Sequence, residues 1–196
     1  VVGLVLATVF GASMFSRDQN NNSGMMGNNT QNTGNNQMMG NIDKHFIEQM
    51  IPHHEGAVDM AKLALVKSKR PEIKTLATAI ITDQNKEIAD MTTWYKNWFG
   101  NDVPKVSGGM MGGGMMSQSG MHKGGQEDMS SLENATDFDK AFLEAMIPHH
   151  QLALMMVQML ESGSSRPEML QLSKNITASQ SKEIQQMQGW YTQWYK

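Results

Sequence analysis

One pentapeptide occurs twice in this chain, as Met50-Ile51-Pro52-His53-His54 and again 96 residues later as Met146-Ile147-Pro148-His149-His150. Two adjacent imidazoles beside a thioether offer borderline nitrogen donors together with a soft sulfur donor, which is the raw material of a metal site. On a helix the methionine and the two histidines fall at i, i+3 and i+4, so they share one face. The chain holds 20 methionines and no cysteine, so thioether is its only soft ligand. Imidazole accepts zinc, copper, nickel and iron, whereas thioether selects copper(I) and, by the same softness, silver(I). The imidazoles would also retain copper(II). A lone histidine on such a face is ordinarily structural and an interior methionine ordinarily fills core; Met60 and Met156 are read that way. Paired histidines repeated with identical flanks are harder to explain as packing alone.

The elements that must position these side chains follow from periodicity. From Asp43, the apolar residues Phe46, Ile47, Met50, Ile51, Ala57, Val58, Ala61 and Leu65 recur at three- and four-residue steps, predicting an amphipathic helix capped by Asn41 or Asp43. Pro52 inside it removes one backbone hydrogen bond and predicts a kink just before the histidines. Lys67 to Arg70 makes a turn, and Pro71 with Glu72 opens a second helix that keeps its step to Phe99. Residues 139 to 195 replay this hairpin without a gap, and about 25 of the 57 aligned pairs from Asp43 to Phe99 are identical. Two helices sharing only a period would not agree so often, so the halves are an internal duplication. A single hairpin cannot bury its apolar face, which predicts an all-α, four-helix bundle of two tandem hairpins with a pseudo-twofold axis and a long flexible crossover.

The chain then divides into residues 1–16, a partial signal peptide or an uncleaved anchor; 17–41, a disordered arm rich in Asn, Gly and Met; 42–99, the first hairpin; 100–135, a Gly/Met-rich linker; and 136–196, the second hairpin. The apolar run of residues 1–16 suits a signal-peptide core better than a bilayer span and predicts a periplasmic or secreted protein, membrane-anchored if uncleaved. Met25-Met26 and Met38-Met39 in the arm, with Met110-Met111, Met115-Met116 and Met121 in the linker, are either weak soft-metal sites or an accident of composition.

With the hairpin turn centred near residues 68 to 69, antiparallel helices would set Met50 level with Glu87 and His53 or His54 level with Gln84, with Met91 a turn further on. Two thioethers, two imidazoles and a carboxylate then converge in each hairpin, the second set being Met146, His149, His150, Glu183 and Met187. Glu87 and Glu183, next to Lys86 and Lys182, are either ligands, solvated, or partners that orient an imidazole. Trp94, Trp98, Trp190 and Trp194 are read as apolar plugs at the bundle ends. One metal site per hairpin is expected, the alternative being one ion shared across the axis.

Several function classes fall away. A net charge of −3 without a basic stripe gives no basis for nucleic-acid binding. A carboxylate-bridged di-iron centre wants Glu-x-x-His on two helices, but Asp90 and Gln186 stand three residues past Glu87 and Glu183, and Glu55 becomes Gln151. No His-Glu-x-x-His and no nucleophile paired with a base stands out, so no catalytic residue or catalytic substrate is expected.

Met-Ile-Pro-His-His in a helical hairpin, followed by Lys-Glu-Ile-x-x-Met-x-x-Trp, resembles the family known as domain of unknown function 305, over residues 43–99 and 139–195. The tandem form with methionine-rich arms is similar to exported cyanobacterial copper-binding members of that family. The resemblance implies a ferritin-like bundle in the periplasm that binds copper, with Met50, His53, His54 and Met91 and their repeats Met146, His149, His150 and Met187 as ligands. The expectation is a buffer or metallochaperone for copper(I), copper(II) and silver(I) in copper resistance, not an enzyme, whose partners are metal ions and a copper sensor or efflux component. The alternative is a metal-dependent oxidase, acting on copper(I) or built on ferritin-like di-iron chemistry.

Overall fold

A computed structural model describes residues 32–105 and 126–196, with side chains from 42 to 105 and from 129 to 196. Five helices and no strand occur among the described residues: α1 (Asn32–Lys67), α2 (Pro71–Phe99), α3 (Gln126–Glu133), α4 (Phe138–Glu161) and α5 (Pro167–Tyr195). None of them is long and apolar enough to cross a membrane.

Local chemistry sets most of the ends. Pro71 and Pro167 sit in the first turns of α2 and α5, and the preceding Arg70 and Arg166 are extended, as a residue before proline prefers. The turns are tightened alike, with the Arg70 amide donating to Ser68 Oγ and the Arg166 amide to Ser164 Oγ. Asp137 caps α4 by accepting from the Lys140 amide. Gly100 closes α2 at φ 75°, a left-handed conformation that glycine adopts without steric cost. Pro52 and Pro148 lie inside α1 and α4.

Two boundaries differ from the sequence expectation. α1 begins at Asn32, so neither Asn41 nor Asp43 is its cap, and residues 32–40 of the expected arm are helical. Extending an existing helix avoids the cost of nucleating one, so a polar segment can follow an amphipathic one into the helix. The rest of the arm and residues 1–16 lie outside the described residues. The linker of residues 100–135 contains α3, whose Leu132 is 3% exposed and enters the core with Met129 packed beside it. Lys67 Nζ donates to the Glu133 carbonyl and ties α3 to the end of α1. The linker methionines from Met110 to Met121 are outside the described residues.

α1 packs against α2, α4 against α5, and α1 against α4. The interior is two apolar clusters. One joins Ala57, Ala61 and Ala64 of α1 and Ile73, Leu76 and Ile80 of α2 with Phe142 and Met146 of α4 and Met187 of α5. The other joins Phe46, Ile47 and Met50 of α1 and Met91 of α2 with Ala153 and Val157 of α4 and Leu172 and Ile176 of α5. The C-terminal half of α1 thus meets the N-terminal half of α4 and the reverse, as a twofold relation requires. Met60 belongs to the first cluster and Met156 packs on the second, the core-filling roles expected of them.

The hairpins are also clasped at both ends. Arg166, in the turn of the second hairpin, pairs with Asp43 of the first at 3.0 Å and lies 4.2 Å from the centre of the Trp98 ring. Arg70, in the turn of the first, answers with Asp139 at 3.8 Å and Trp194 at 3.8 Å. Trp94 stacks on Trp98 and Trp190 on Trp194. Trp98 and Trp194 thus serve as platforms for a guanidinium, with Trp94 and Trp190 stacked against them.

Replacing Arg166 by alanine strands the buried Asp43 carboxylate. Because Arg166 is itself partly exposed, the cost should fall between that of a surface and a buried pair, about 2 kcal/mol. Arg70→Ala should cost less, its ion pair being longer. Urea unfolding followed by circular dichroism should give the order wild type, Arg70→Ala, Arg166→Ala; equal stability of all three would show that the clasp contributes nothing.

Candidate metal centre

Between the two apolar clusters lies a polar belt made by the same positions of both hairpins. His54 and His150 are completely buried, and Gln84, Glu87, Gln180 and Glu183 are each at most 9% exposed. α1 and α4 approach closely there: a Cβ on Gly56 would stand in ordinary contact with His149 Nε2, at 3.6 Å.

In each hairpin one imidazole is held by one carboxylate. His54 Nε2 lies 2.7 Å from Glu87 Oε2, and His150 Nε2 lies 2.7 Å from Glu183 Oε2. An ionised carboxylate can only accept, so Nε2 must carry the proton and donate it. Nδ1 of each ring is then left with its lone pair, and neither Nδ1 has a hydrogen-bond partner. This is the arrangement by which a carboxylate fixes the tautomer and orientation of a metal-binding imidazole and raises its basicity. Glu87 and Glu183 are therefore neither solvated nor free, and Lys86 turns away to Asp90.

The hydrogen-bonded rung differs from the register read off the sequence, which put His54 level with Gln84 and Glu87 level with Met50. Side chains on a helix lean toward its N-terminus. In an antiparallel pair they therefore lean past each other, and contacts form between residues further along both helices than their Cα heights suggest.

His53 and His149 do not stay within their own hairpins. Their ring centres lie 3.7 Å apart at a 37° tilt, on the pseudo-twofold axis between α1 and α4. Each is also 6.3 Å from its sequence neighbour, His54 or His150, so four imidazoles form one group. Both ring nitrogens of His53 are out of solvent and without a hydrogen-bond partner. Burial pushes the His53 pKa down to about 3, and the neighbouring His54 and His150 push the same way, outweighing the backbone of His149, which pulls it up but lies outside good hydrogen-bond geometry. The ring is neutral at any physiological pH and keeps a lone pair available.

Met50, Met91, Met146 and Met187 are all fully buried, the first two in one cluster and the last two in the other. The structure thus places a methionine pair on each side of the histidine group. Among the described residues no three His, Asp or Glu side chains converge on one point, so a third donor here would come from a group outside those types, and the buried thioethers are soft donors of that kind. Neutral nitrogen and thioether donors without added charge suit a soft monovalent cation, and the imidazoles also suit copper(II).

Sequence reasoning named all ten of these histidines, methionines and glutamates. It gave no role to Gln84 and Gln180 and missed the clasp arginines. The available signal was their identity between repeats, Gln84 with Gln180 and Arg70 with Arg166.

The sequence profile described as Domain of unknown function (DUF305) matches residues 43–194. Among solved structures, CopM in its Cu(I)-bound form is 45% identical and superposes with a TM-score of 0.67, covering 79% of this chain and 98% of that one. CopM was also solved in a Cu(II)-bound form, with 45% identity, a TM-score of 0.66 and coverage of 78% and 97%. A silver-bound form, by soaking, is 44% identical with a TM-score of 0.67 and coverage of 79% and 97%. A fragment of the same family from Deinococcus radiodurans, 24% identical with a TM-score of 0.61 and coverage of 76% and 93%, shares the fold. An uncharacterised protein of Acanthamoeba polyphaga mimivirus is 45% identical over 51 residues, 26% of this chain; the match spans about a third of that relative, 34% of its length.

The depressed His53 pKa has a measurable consequence. In the unfolded chain this imidazole takes a proton near about pH 6.5, whereas in the folded protein it resists protonation down to about 3. Its contribution to stability is complete above about 6.5 and is lost as the pH falls from there toward 3, with a slope of order 1 kcal/mol per pH unit. In metal-free protein, His53→Leu should therefore show a shallower loss of urea stability between pH 7 and pH 4 than wild type. Parallel curves would mean that His53 is protonated in the fold.

Proposed function

The chain belongs to the domain of unknown function 305 family, and on that premise we propose that it binds copper(I), copper(II) and silver(I) as a periplasmic buffer or carrier rather than as an enzyme. The observation that carries the reading is the pair of buried imidazoles whose Nε2 is engaged by Glu87 or Glu183 and whose Nδ1 is unpartnered, flanked by four buried thioethers. The copper- and silver-bound structures of CopM, at 44 to 45% identity, support the same choice of metals.

The donor set suits storage and handover. Thioethers hold copper(I) without a proton to lose, and histidines give copper(II) a place in the same belt. Both belt carboxylates already hold an imidazole, which leaves no pair of them to bridge two irons. An oxidase remains the competing class, and metal-dependent oxygen consumption by the loaded protein would reveal it. Export, and a receiving sensor or efflux component, are part of the proposal; the apolar run of residues 1–16 supports the first, and the need of a carrier to release its ion supports the second.

Three outcomes test this reading. In direct competition copper(I) and silver(I) should displace zinc, measured by metal analysis of the protein after gel filtration; zinc winning at equal concentration would reject the soft-metal assignment. Glu87→Ala should weaken tight copper binding about 10- to 100-fold at the imidazole it orients. Because His53 and His149 meet on the axis, His53→Ala should disturb more than half of the tight copper(II). A loss of no more than half would mean that each hairpin loads by itself.

A further inference from the structure

Gln84 and Gln180 have no part in the reading so far. They occupy equivalent places on α2 and α5, three residues before Glu87 and Glu183, and only 3% and 2% of each is exposed. Both amide atoms of Gln84 and the carbonyl oxygen of Gln180 lack a hydrogen-bond partner. Burying a polar group without one costs about 1–3 kcal/mol. The chain accepts this at both copies of the position, although the neighbours Asp83 and Asn85 have become Ser179 and Ser181.

The packing shows which donors these amides stand beside. Met146 and Met187 share a cluster with Ala77 and Ile80 of α2, and Met50 and Met91 share one with Leu172 and Ile176 of α5. Gln84 lies one helical turn beyond Ile80 and Gln180 one turn beyond Ile176, both toward the belt. Each methionine pair is thus approached by the glutamine of the opposite hairpin.

We infer that Gln84 and Gln180 are the specificity-determining residues of the belt, supplying the oxygen donor that lets it hold copper(II) as well as copper(I). This rests on the copper reading above and deepens it. Copper(I) is satisfied by thioether and imidazole, whereas copper(II) prefers nitrogen and oxygen donors in a tetragonal arrangement. The belt carboxylates are engaged by His54 and His150, while the Gln84 and Gln180 carbonyl oxygens have lone pairs without a partner. A neutral oxygen also leaves the charge of the site unchanged, so it does not bias the belt against the monovalent ion.

The test uses the full chain with Gln84→Leu, Gln180→Leu, the double variant, and Gln84→Glu with Gln180→Glu as variants that keep an oxygen. Leucine removes an unsatisfied amide at similar volume, so thermal unfolding should show the fold intact or more stable. The double leucine variant should bind copper(II) about tenfold or more weakly, with an altered paramagnetic resonance spectrum, while its affinities for copper(I) and silver(I) stay within about twofold. The glutamate variants should retain copper(II). An unchanged copper(II) spectrum and affinity in the double leucine variant would overturn the inference alone, as would an equal loss of both oxidation states, which marks a structural role. Failure of the wild-type chain to bind any of the three ions would overturn the copper reading and this inference together.

Discussion

Two short hydrogen bonds, His54 to Glu87 and His150 to Glu183, govern the middle of this bundle. Each joins the two helices of one hairpin across an otherwise apolar interface, and each decides which nitrogen of a buried ring carries the proton. Without the carboxylate an imidazole in that position could turn either nitrogen inward and would face the cost of a buried, unsatisfied donor. With it, the ring is fixed and its basic nitrogen remains. The same bond that knits the hairpin therefore prepares the donor, which ties the stability of the fold to the chemistry of the site.

The belt interrupts the core on purpose. A continuous apolar seam would pack at least as well, because replacing buried polar groups by apolar ones of the same shape is often neutral or stabilising. Instead, two apolar clusters are separated by four histidines, two glutamines and two glutamates, several with unpaired atoms. The compensation lies elsewhere, in the fully buried methionines and aliphatics of the clusters and in the arginine clasps at the ends. Local instability in the centre is held in place by a well-packed periphery.

Much of this was legible in the amino-acid sequence because it is periodic or repeated. The 3.6-residue step revealed the four long helices, and the gapless repeat revealed the hairpin pairing and the candidate donors from Met50 to Met187. α3 escaped because eight residues with two apolar positions, Met129 and Leu132, give too short a period to stand out in a glycine-rich linker. The rung between His54 and Glu87 was misplaced because helix register was judged from backbone height, whereas contact depends on where the side chains lean. The clasps and the meeting of His53 with His149 link residues far apart in the chain, Arg70 with Asp139, Arg166 with Asp43 and one hairpin's histidine with the other's, and no local pattern encodes which face of one hairpin meets the other.

The reciprocity of the clasps bears on how the chain assembles. Arg70 reaches for Asp139 and Trp194, and Arg166 reaches for Asp43 and Trp98, so every clasp joins one hairpin to the other. A second copy of the chain presents the same partners in the same geometry. Hairpins traded between two molecules would thus recover each of these contacts, in the manner of domain swapping. What favours the closed single chain is the tether of residues 100–135, which holds the two hairpins at an effective concentration on the order of millimolar. The linker, which contributes α3 and the close of α2 at Gly100 to the described fold, is then the element that biases the chain toward one molecule over two.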